Sequence, residues 1–344
     1  MKFETISVVG LGYIGLPTAA VIASNGIRVV GVDVNQHAVD TINQGMIHIV
    51  EPGLEDLVKR AVNDGHLTAH TSPQKADAFL IAVPTPFKGE EHEPDLKYIE
   101  SASRVLAPML EKGNLVVLES TSPVGATEQM AKWLAEERSD LTFPHTVVEG
   151  QTPDIFVAHC PERVLPGQVI RELVENDRII GGMDEASTAA ATQVYKMFVK
   201  KGECIATSAR TAEMSKLTEN AFRDVNIAFA NELSLICDQQ GINVWELISL
   251  ANRHPRVNVL QPGCGVGGHC IAVDPWFIVN QNPDTAKMIR QARLVNDYKP
   301  RYVVEQVEKA VAGINNPKIA CLGLAFKPDI DDLRESPALD ITKT

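Results

Sequence analysis

The sequence predicts an α/β protein of two or three domains, with a doubly wound parallel sheet in its amino-terminal half and a helical middle. Short apolar, β-branched runs alternate with helical patterns along that half, and a glycine-rich turn follows the first run. Further along, one long segment has an uninterrupted helical pattern. The 344 residues also exceed the roughly 150 residues of one ordinary domain.

The sheet is predicted from apolar runs typical of buried parallel strands. A helical stretch follows the first run as far as Ser24, and Gly26 is its stop signal. Strand–helix–strand units of this length favour a parallel sheet with helices on both faces. The predicted strands are Thr5–Val9, Ile27–Val32, Ala78–Val83 and Asn114–Glu119.

A G-x-G-x-x-G pattern joins the first strand to the first helix. Gly10 permits the tight turn, Gly12 lets the backbone approach a pyrophosphate, and Gly15 lets the helix and the strand pack closely. This context predicts a dinucleotide site, and a glycine-rich turn that binds nothing is the alternative.

The residues around this turn favour NAD over NADP. The amides near Tyr13 and Ile14 lie at the positive end of the helix dipole, where phosphate is favoured. Asp33 ends the second strand and can accept hydrogen bonds from ribose hydroxyls, whereas a 2′-phosphate would meet like charge. Thr85, Thr121 and Thr127 follow later strands and offer hydroxyls at the same crevice, with turn chemistry and capping as the alternative.

The middle of the chain is predicted to hold one long helix. From Thr211 to Gln240 there is no glycine or proline, which at about 1.5 Å per residue gives a helix of about 45 Å. Such a helix often forms a spine between domains or a subunit interface. Lys216, Asn220 and Arg223 share one of its faces, and a solvated polar stripe is the alternative interpretation.

A glycine-rich loop, Gly263–Asp274, is the strongest candidate for chemistry. Four glycines within six residues allow backbone to approach a ligand closely. Cys270 ends the loop where free amides would favour its thiolate, and Asp274 can orient the thiol or a water. A structural turn is one alternative. A zinc site built from Cys264, His269 and Cys270 is another, although paired spacing and a fourth ligand are missing.

The composition argues against several classes of partner. Asp and Glu outnumber Lys and Arg by 44 to 32, which gives a net charge of −12, and no basic run offers a nucleic-acid or membrane surface. The six cysteines are scattered without C-x-x-C spacing, and no apolar run reaches the roughly 18 residues of a membrane span. We therefore expect a soluble, cytoplasmic protein with no signal peptide, no membrane partner and no nucleic-acid partner.

Longer motifs recur along essentially the whole chain. They are VVGLGYIGLP from Val8, AVPTPF from Ala82, ESTSPVGAT from Glu119, CPERVLPG from Cys160, AEMSKLTEN from Ala212, HPRVN from His254, GVGGHC from Gly265 and GLAFKPDIDDLRESP from Gly323. Through these motifs the chain resembles the nucleotide-sugar 6-dehydrogenase family. Members of that family oxidise the primary alcohol of UDP-glucose, UDP-N-acetylmannosamine and related sugars to a carboxylate, using two NAD⁺, and their products supply surface polysaccharides.

The resemblance implies a role for each candidate residue. The catalytic nucleophile would be Cys270, assisted by Lys216 and Asn220. Glu162 would be an acid/base residue. Thr121 and Asp274 would position a water molecule. The substrate would be held by Arg163, Val164, Lys216, Asn220, Arg223, His254, Arg256, Gly267 and Lys327. Arg334 would reach the NAD. A homodimer through the central helix is also implied.

The chain departs from the family pattern at several positions. Members that act on glucose carry a second glutamate where this chain has Pro166, and proline and lysine where it has Ala272 and Val273. These differences favour an N-acetylated sugar. Cys264 stands where the family usually has proline.

Three domains are predicted: an NAD-binding Rossmann domain over 1–205, a central helical domain over 206–312, and the start of a UDP-binding domain over 313–344. Lys318–Leu324 is predicted as the first strand of the last domain, which we expect to be truncated. Three alternatives remain open at this point. They are a dehydrogenase for UDP-N-acetylglucosamine or UDP-glucose, a two-electron hydroxyacid dehydrogenase of the 6-phosphogluconate type, and a fragment that only binds NAD and dimerises.

Overall fold

The computed structural model of the protein describes residues 2–89, 91–148, 150–165, 167–327 and 333–344. Its strands are β1 Thr5–Val9, β2 Arg28–Val32, β3 Leu67–His70, β4 Ala78–Ile81, β5 Phe87–Lys88, β6 Glu93–Pro94, β7 Leu115–Leu118, β8 Phe156–His159, β9 Arg178–Gly182 and β10 Cys204–Ser208. Its helices are α1 Gly15–Ser24, α2 Gln36–Asn43, α3 Leu54–Asn63, α4 Lys97–Leu106, α5 Ala126–Glu137, α6 Val169–Glu175, α7 Glu185–Tyr195, α8 Ala209–Gln240, α9 Val244–Ala251, α10 Asp274–Gln281, α11 Lys287–Val311 and α12 Pro337–Lys343.

The chain divides into two compact units. The first comprises Met1–Thr85 and Asp95–Lys216, and the second comprises Pro86–Pro94 and Leu217–Thr344. Helix α8 runs through the point of division, since Lys216 and Leu217 are consecutive residues within it. The three-domain division into 1–205, 206–312 and 313–344 remains a prediction.

The first unit contains an eight-stranded sheet in the order β10-β9-β8-β7-β4-β1-β2-β3. All neighbouring strands are parallel except β8 and β9, which are antiparallel. Successive strand residues enter different apolar clusters: Leu80 belongs to the cluster that contains Leu16 of α1, and Ile81 to the cluster that contains Met130 of α5. Because side chains alternate across a sheet, both faces are covered by helices, and the predicted doubly wound sheet is confirmed.

The second unit contains the two-stranded sheet of β5 and β6 and is otherwise helical, and polar groups join α11 to the part of α8 that lies in this unit. The long helix predicted over Thr211–Gln240 is confirmed as α8, whose 32 residues begin at Ala209. Arg293 of α11 lies 2.6 Å from Asp224 of α8, and both side chains are buried. Further contacts follow in ascending order along both helices, so the two run in the same direction. These are Asn296 with Asp224 and Asn231, Lys299 with Ser234, and Tyr302 with Asp238.

The carboxyl-terminal residues differ from the prediction. Lys318–Leu324 forms no strand, and nearly all of this segment is exposed, so the predicted strand is wrong. A strand needs a neighbour for its backbone hydrogen bonds, and none of the described residues provides one. Further along, Pro337–Lys343 forms α12, whose first turn is capped by the Ser336 hydroxyl accepting from the Leu339 amide at 3.4 Å. Within the described ranges, no helix is both long and apolar enough to cross a bilayer.

Candidate active site

The glycine turn after β1 leaves open space at one position only. A Cβ on Gly10, whose φ is +93°, would stand 2.5 Å from the Ala82 carbonyl oxygen, and one on Gly15 would stand 1.7 Å from the Gly10 carbonyl oxygen. These two glycines are therefore required by the packing of the turn. At Gly12 no heavy atom lies within 4 Å of an added Cβ. Gly12 is thus where the backbone offers room for a ligand.

Asp33 is fixed beside this turn. Its Oδ2 accepts from the Leu11 amide at 2.8 Å, and its Oδ1 accepts from the Asn35 amide at 2.9 Å. Tyr13 is exposed and Ile14 is half-buried, both at the start of α1. An open cradle, a helix amino terminus and a carboxylate at the end of β2 together fit a dinucleotide, with the pyrophosphate at Gly12 and a ribose at Asp33.

The three predicted threonines have different surroundings. Thr85 is buried after β4, and its hydroxyl has no hydrogen-bond partner among the residues that the structure describes. Thr121 is half-buried after β7. Thr127 is fully buried, and its hydroxyl donates to Glu213 at 2.6 Å while its amide donates to the same carboxylate at 2.8 Å. The Thr127 hydroxyl is thus occupied by Glu213, whereas the Thr85 hydroxyl is buried and unpaired among the described residues, and cofactor binding by either threonine stays a prediction.

Glu162, the predicted acid/base residue, is buried and held at both oxygens. Its Oε2 accepts from the Arg178 guanidinium at 2.9 Å, and its Oε1 accepts from the Arg163 amide at 2.6 Å. The Arg163 guanidinium donates to the Asp177 carbonyl at 3.1 Å, and Val164 is half-buried. The Arg178 pair orients the Glu162 carboxylate.

In the second unit, Cys270 lies in the turn that leads into α10. Its side chain is exposed, and its carbonyl accepts from the Asp274 amide at 2.8 Å. The positive end of a helix stabilises a nearby thiolate, the nucleophilic form of cysteine. Asp274 is buried, and its Oδ2 accepts from the Asn220 side-chain amide at 2.5 Å. Lys216, half-buried, precedes Asn220 by one turn of α8. The structure thus brings two predicted catalytic residues, Asn220 and Asp274, into direct contact.

The glycines before Cys270 make room for the chain itself. The Gly268 amide donates to the Arg334 carbonyl at 3.1 Å. A Cβ on Gly267 would stand 2.4 Å from the Glu335 carbonyl oxygen, and one on Gly268 would stand 2.8 Å from the Phe326 ring. The sequence predicted close approach of this loop to a ligand. The structure shows close approach to the segment that carries Phe326 and Arg334.

Both ends of the glycine loop are tied to buried side chains of α8 and α11. At one end the Gly263 amide donates to the Asn231 side chain at 2.9 Å. At the other end, one residue after Cys270, the Ile271 carbonyl accepts from Arg293 at 3.5 Å. These anchors connect the loop to the polar contacts between the two helices.

The remaining predicted residues lie in the second unit. Arg223, His254 and Arg256 are exposed, as a binding surface for phosphate or sugar requires. Lys327 is half-buried next to Phe326, and Arg334 is exposed. Cys264 is exposed, and nothing in the structure explains why it replaces proline. Pro166 lies outside the described residues.

Sequence reasoning missed the groups that support these residues. No set of three His, Cys, Asp or Glu side chains in the described ranges could hold a metal ion. The overlooked residues are partners instead: Arg178 for Glu162, Glu213 for Thr127, and Arg293 for the glycine loop. A hint existed for Arg178, because a lone arginine opens an otherwise apolar strand. Such a charge needs a buried partner.

The fold and the site define a dehydrogenase that uses a dinucleotide. Sequence models of the UDP-glucose/GDP-mannose dehydrogenase family match three stretches: the NAD binding domain at residues 4–199, the central domain at 210–298 and the UDP binding domain at 320–344. The chain belongs to this family. It is an NAD-dependent UDP-sugar dehydrogenase, and the predicted cofactor, NAD, is confirmed.

Two individual relatives and one solved structure are similar to this chain over nearly its whole length. The UDP-N-acetyl-D-mannosamine dehydrogenase of Campylobacter jejuni is 71% identical over 99% of this chain and 83% of its own length. The NDP-N-acetyl-D-galactosaminuronic acid dehydrogenase of Ralstonia solanacearum is 68% identical over 100% of this chain and 80% of its own. The solved structure of the UDP-D-ManNAc dehydrogenase of Pyrococcus horikoshii matches 98% of this chain and 80% of its own, with 44% identity and a TM-score of 0.90.

Proposed function

We propose that this protein oxidises the C6 alcohol of UDP-N-acetyl-D-mannosamine to the carboxylate, and that the uronate serves surface-polysaccharide synthesis of the enterobacterial common antigen type. The observation that carries the proposal is an exposed cysteine before α10, beside the Asn220–Asp274 hydrogen bond, in a chain 71% identical to a dehydrogenase of that name. None of the described cysteines forms a disulfide, which fits a cytoplasmic location.

A nucleophilic thiol explains how oxidation proceeds past the aldehyde. NAD⁺ held at the glycine turn and Asp33 would supply the hydride acceptor for each oxidation. The Cys270 sulfur adds to the aldehyde carbon, the carbonyl oxygen takes up a proton, and the resulting thiohemiacetal has the tetrahedral carbon that a second oxidation needs. Oxidation gives a thioester. Attack of water on its carbonyl then breaks the carbon–sulfur bond and releases the carboxylate and the thiol.

Asn220 and Lys216 are suited to stabilise the oxyanion that forms in these steps. Each carries a side-chain donor on the same face of α8, and loss of one such donor typically lowers the rate about a hundredfold. Asp274 orients the Asn220 amide through their hydrogen bond and offers a carboxylate to the attacking water. Glu162 serves as the acid/base residue, with its carboxylate oriented by Arg178.

The sugar is proposed to carry an N-acetyl group. Ala272 and Val273 are buried just after Cys270, where glucose-specific members carry proline and lysine. The relative from R. solanacearum acts, by its name, on an N-acetylgalactosamine derivative, and its identity of 68% makes that sugar the second candidate. UDP-N-acetylglucosamine and UDP-glucose are the other two substrates with which NADH formation should be measured for comparison.

We also propose a homodimer through α8. Phe222, Phe229 and Ile236 are seven residues apart, so they form one stripe, and they are 71%, 55% and 41% exposed. Exposed phenylalanines at this spacing are typical of a helix that packs against another helix. Phe229→Glu is expected to convert the dimer to a monomer in sedimentation analysis, while Glu232→Gln, on the same helix, leaves it intact. A wild-type monomer would contradict the proposal.

Counting NADH tests the function directly. With UDP-N-acetyl-D-mannosamine the wild-type protein should form two NADH per sugar, and Cys270→Ser should form no uronate. Cys264→Ser is the matched control, because this exposed thiol lies six residues earlier and should be dispensable. One NADH per sugar would favour the two-electron hydroxyacid dehydrogenase, and full uronate formation by Cys270→Ser would contradict the thiol route. NAD binding in calorimetry without turnover of any sugar would support the binding-only alternative.

A further inference from the structure

A buried network of charged and hydroxyl groups lies behind Glu162 in the first unit. Its other members are Glu119 after β7, Arg178 at the start of β9 and Tyr195 at the end of α7. All four side chains are buried, with exposures between 0% and 7%. Glu119 and Tyr195 have no role in the chemistry proposed above, and Arg178 enters it only by orienting Glu162, yet ionisable groups are costly to bury without partners.

The antiparallel pairing of β8 and β9 creates the Glu162–Arg178 contact. In that register His159 lies opposite Gly181. Continuing this register three residues forward from His159 and three residues back from Gly181 places Glu162 opposite Arg178. The observed Nη1–Oε2 distance is 2.9 Å. A parallel β9 would have placed its first residue at the other end of β8, so the one reversal in the sheet supplies the cation for Glu162.

Glu119 shares the surroundings of the same arginine. The Tyr195 hydroxyl donates to Glu119 Oε1 at 2.5 Å, and the Arg178 guanidinium lies 6.0 Å from the Tyr195 ring centre. Glu119 Oε2 and Arg178 Nε are buried without a hydrogen-bond partner in the described part of the chain. The Arg178 guanidinium is therefore the nearby positive charge for two buried carboxyl groups, and it is hydrogen-bonded only to the one on Glu162.

The charge on Glu119 depends on pH near neutrality. Burial, and next the negative charge of Glu162, raise the pKa of Glu119 to about 7, against the opposing effects of Tyr195 and Arg178. Among the described residues Cys160 also faces Glu119, and its thiol is kept neutral because burial raises its pKa. Below this pKa Arg178 faces one carboxylate, and above it a second negative charge competes with Glu162 for the same guanidinium.

We propose that Glu119, Tyr195 and Arg178 are positioning residues that hold the Glu162 carboxylate in one orientation, and that a negative charge on Glu119 weakens this hold. The inference rests on the proposed function, because that function gives Glu162 its acid/base role. The three residues act through Glu162 and need not touch the substrate.

The test is the dependence of kcat on pH with UDP-N-acetyl-D-mannosamine and saturating NAD⁺. Glu119→Gln keeps a neutral side chain at every pH, so the ratio of its kcat to the wild-type kcat should be constant below pH 7 and rise above it. Arg178→Lys loses the guanidinium geometry, and its kcat should fall about tenfold or more at an unchanged KM. Tyr195→Phe removes a hydrogen bond that lowers the Glu119 pKa, so the inflection should move to higher pH.

Controls separate positioning from folding and from the proposed function itself. Glu185→Gln changes an exposed carboxylate in the first turn of α7 and should leave the pH profile unaltered. Thermal unfolding and NAD titration show whether each variant is folded, and Tyr195→Phe keeps the buried ring. If Glu162→Gln retains wild-type kcat, the proposed role of Glu162 is wrong. If Glu162→Gln is impaired while folded Glu119→Gln, Arg178→Lys and Tyr195→Phe keep the wild-type profile, the inference is overturned and the proposed function stands.

Discussion

Asn220 and Asp274 are joined by a hydrogen bond of 2.5 Å between the side-chain amide of one and the carboxylate of the other. Asp274 is the first residue of α10, and its own amide donates to the carbonyl of Cys270 at 2.8 Å. One buried aspartate therefore contacts both the turn that carries the thiol and an amide on α8. The orientation of the Asn220 amide is set by this contact.

The Asn220–Asp274 contact gives the first prediction. Asp274→Ala should lower kcat about a hundredfold with little change in KM, since the amide loses the partner that aims it at developing negative charge. Steady-state NADH formation measures the effect. Asp284→Asn, at an exposed position beyond α10, is the control. A kcat for Asp274→Ala equal to that of the control would show that the contact is only structural.

Two glycines of the same turn should respond differently to alanine. Gly15→Ala places a methyl group 1.7 Å from the Gly10 carbonyl oxygen, so it should destabilise the fold by about 3 kcal/mol or prevent folding. Gly12→Ala meets no protein atom within 4 Å and should leave thermal unfolding unchanged. Its methyl group enters the space assigned to the pyrophosphate, so the Kd for NAD should rise about tenfold or more. Unchanged NAD affinity in Gly12→Ala would place the cofactor elsewhere.

Asp33 should control the choice between NAD and NADP. Asp33→Asn removes the negative charge that a 2′-phosphate would meet, and it also weakens the hydrogen bond to the Leu11 amide. The kcat/KM for NAD should fall about tenfold while that for NADP rises, so that their ratio changes by roughly a hundredfold. Asp40→Asn on α2 is the control. An unaltered ratio in Asp33→Asn would argue that another residue reads the ribose.

His159 should make the protein sensitive to acid. It is fully buried, both of its ring nitrogens lack hydrogen-bond partners among the described residues, and burial lowers its pKa to about 3. Because the unfolded chain binds this proton at its ordinary pKa near 6.5, the stability due to neutral His159 is complete above pH 6.5. This stability is lost as the pH falls towards 3, and the loss amounts to about 2 kcal/mol at pH 5.

Urea unfolding as a function of pH tests this prediction. His159→Leu should lose less stability than wild type between pH 7 and pH 4, and His37→Gln, an exposed histidine of α2, should follow the wild-type curve. Parallel curves for His159→Leu and wild type would mean that other groups dominate acid unfolding.

Local patterns predicted the parts of this protein that depend on neighbours in sequence. The glycine turn, the carboxylate at Asp33 and the length of α8 follow from strand, turn and helix periodicity within short windows. The 71% identity to a named relative agrees with the family motifs found along the chain. What those motifs could not provide was the set of partners for each residue.

The missed features depend on contacts between distant segments. Thr127 is capped by Glu213, which is 86 residues away, and the Arg178–Glu162 pair requires an antiparallel neighbour in a sheet predicted to be parallel. Lys318–Leu324 has the apolar composition of a strand, but a strand exists only where another strand pairs with it. Periodicity reports which face of an element is apolar and does not report what lies opposite.

The anchors at the two ends of the glycine loop restrict how the thiol can be redesigned. Asn231 holds the loop at Gly263, and Arg293 holds it at Ile271. Cys270 therefore lies on a short segment that is anchored at both ends. A loop transplanted into another scaffold without these two side chains would keep its sequence but lose the two contacts that fix its ends. An engineered change of sugar preference should therefore transfer the loop together with the parts of α8 and α11 that anchor it.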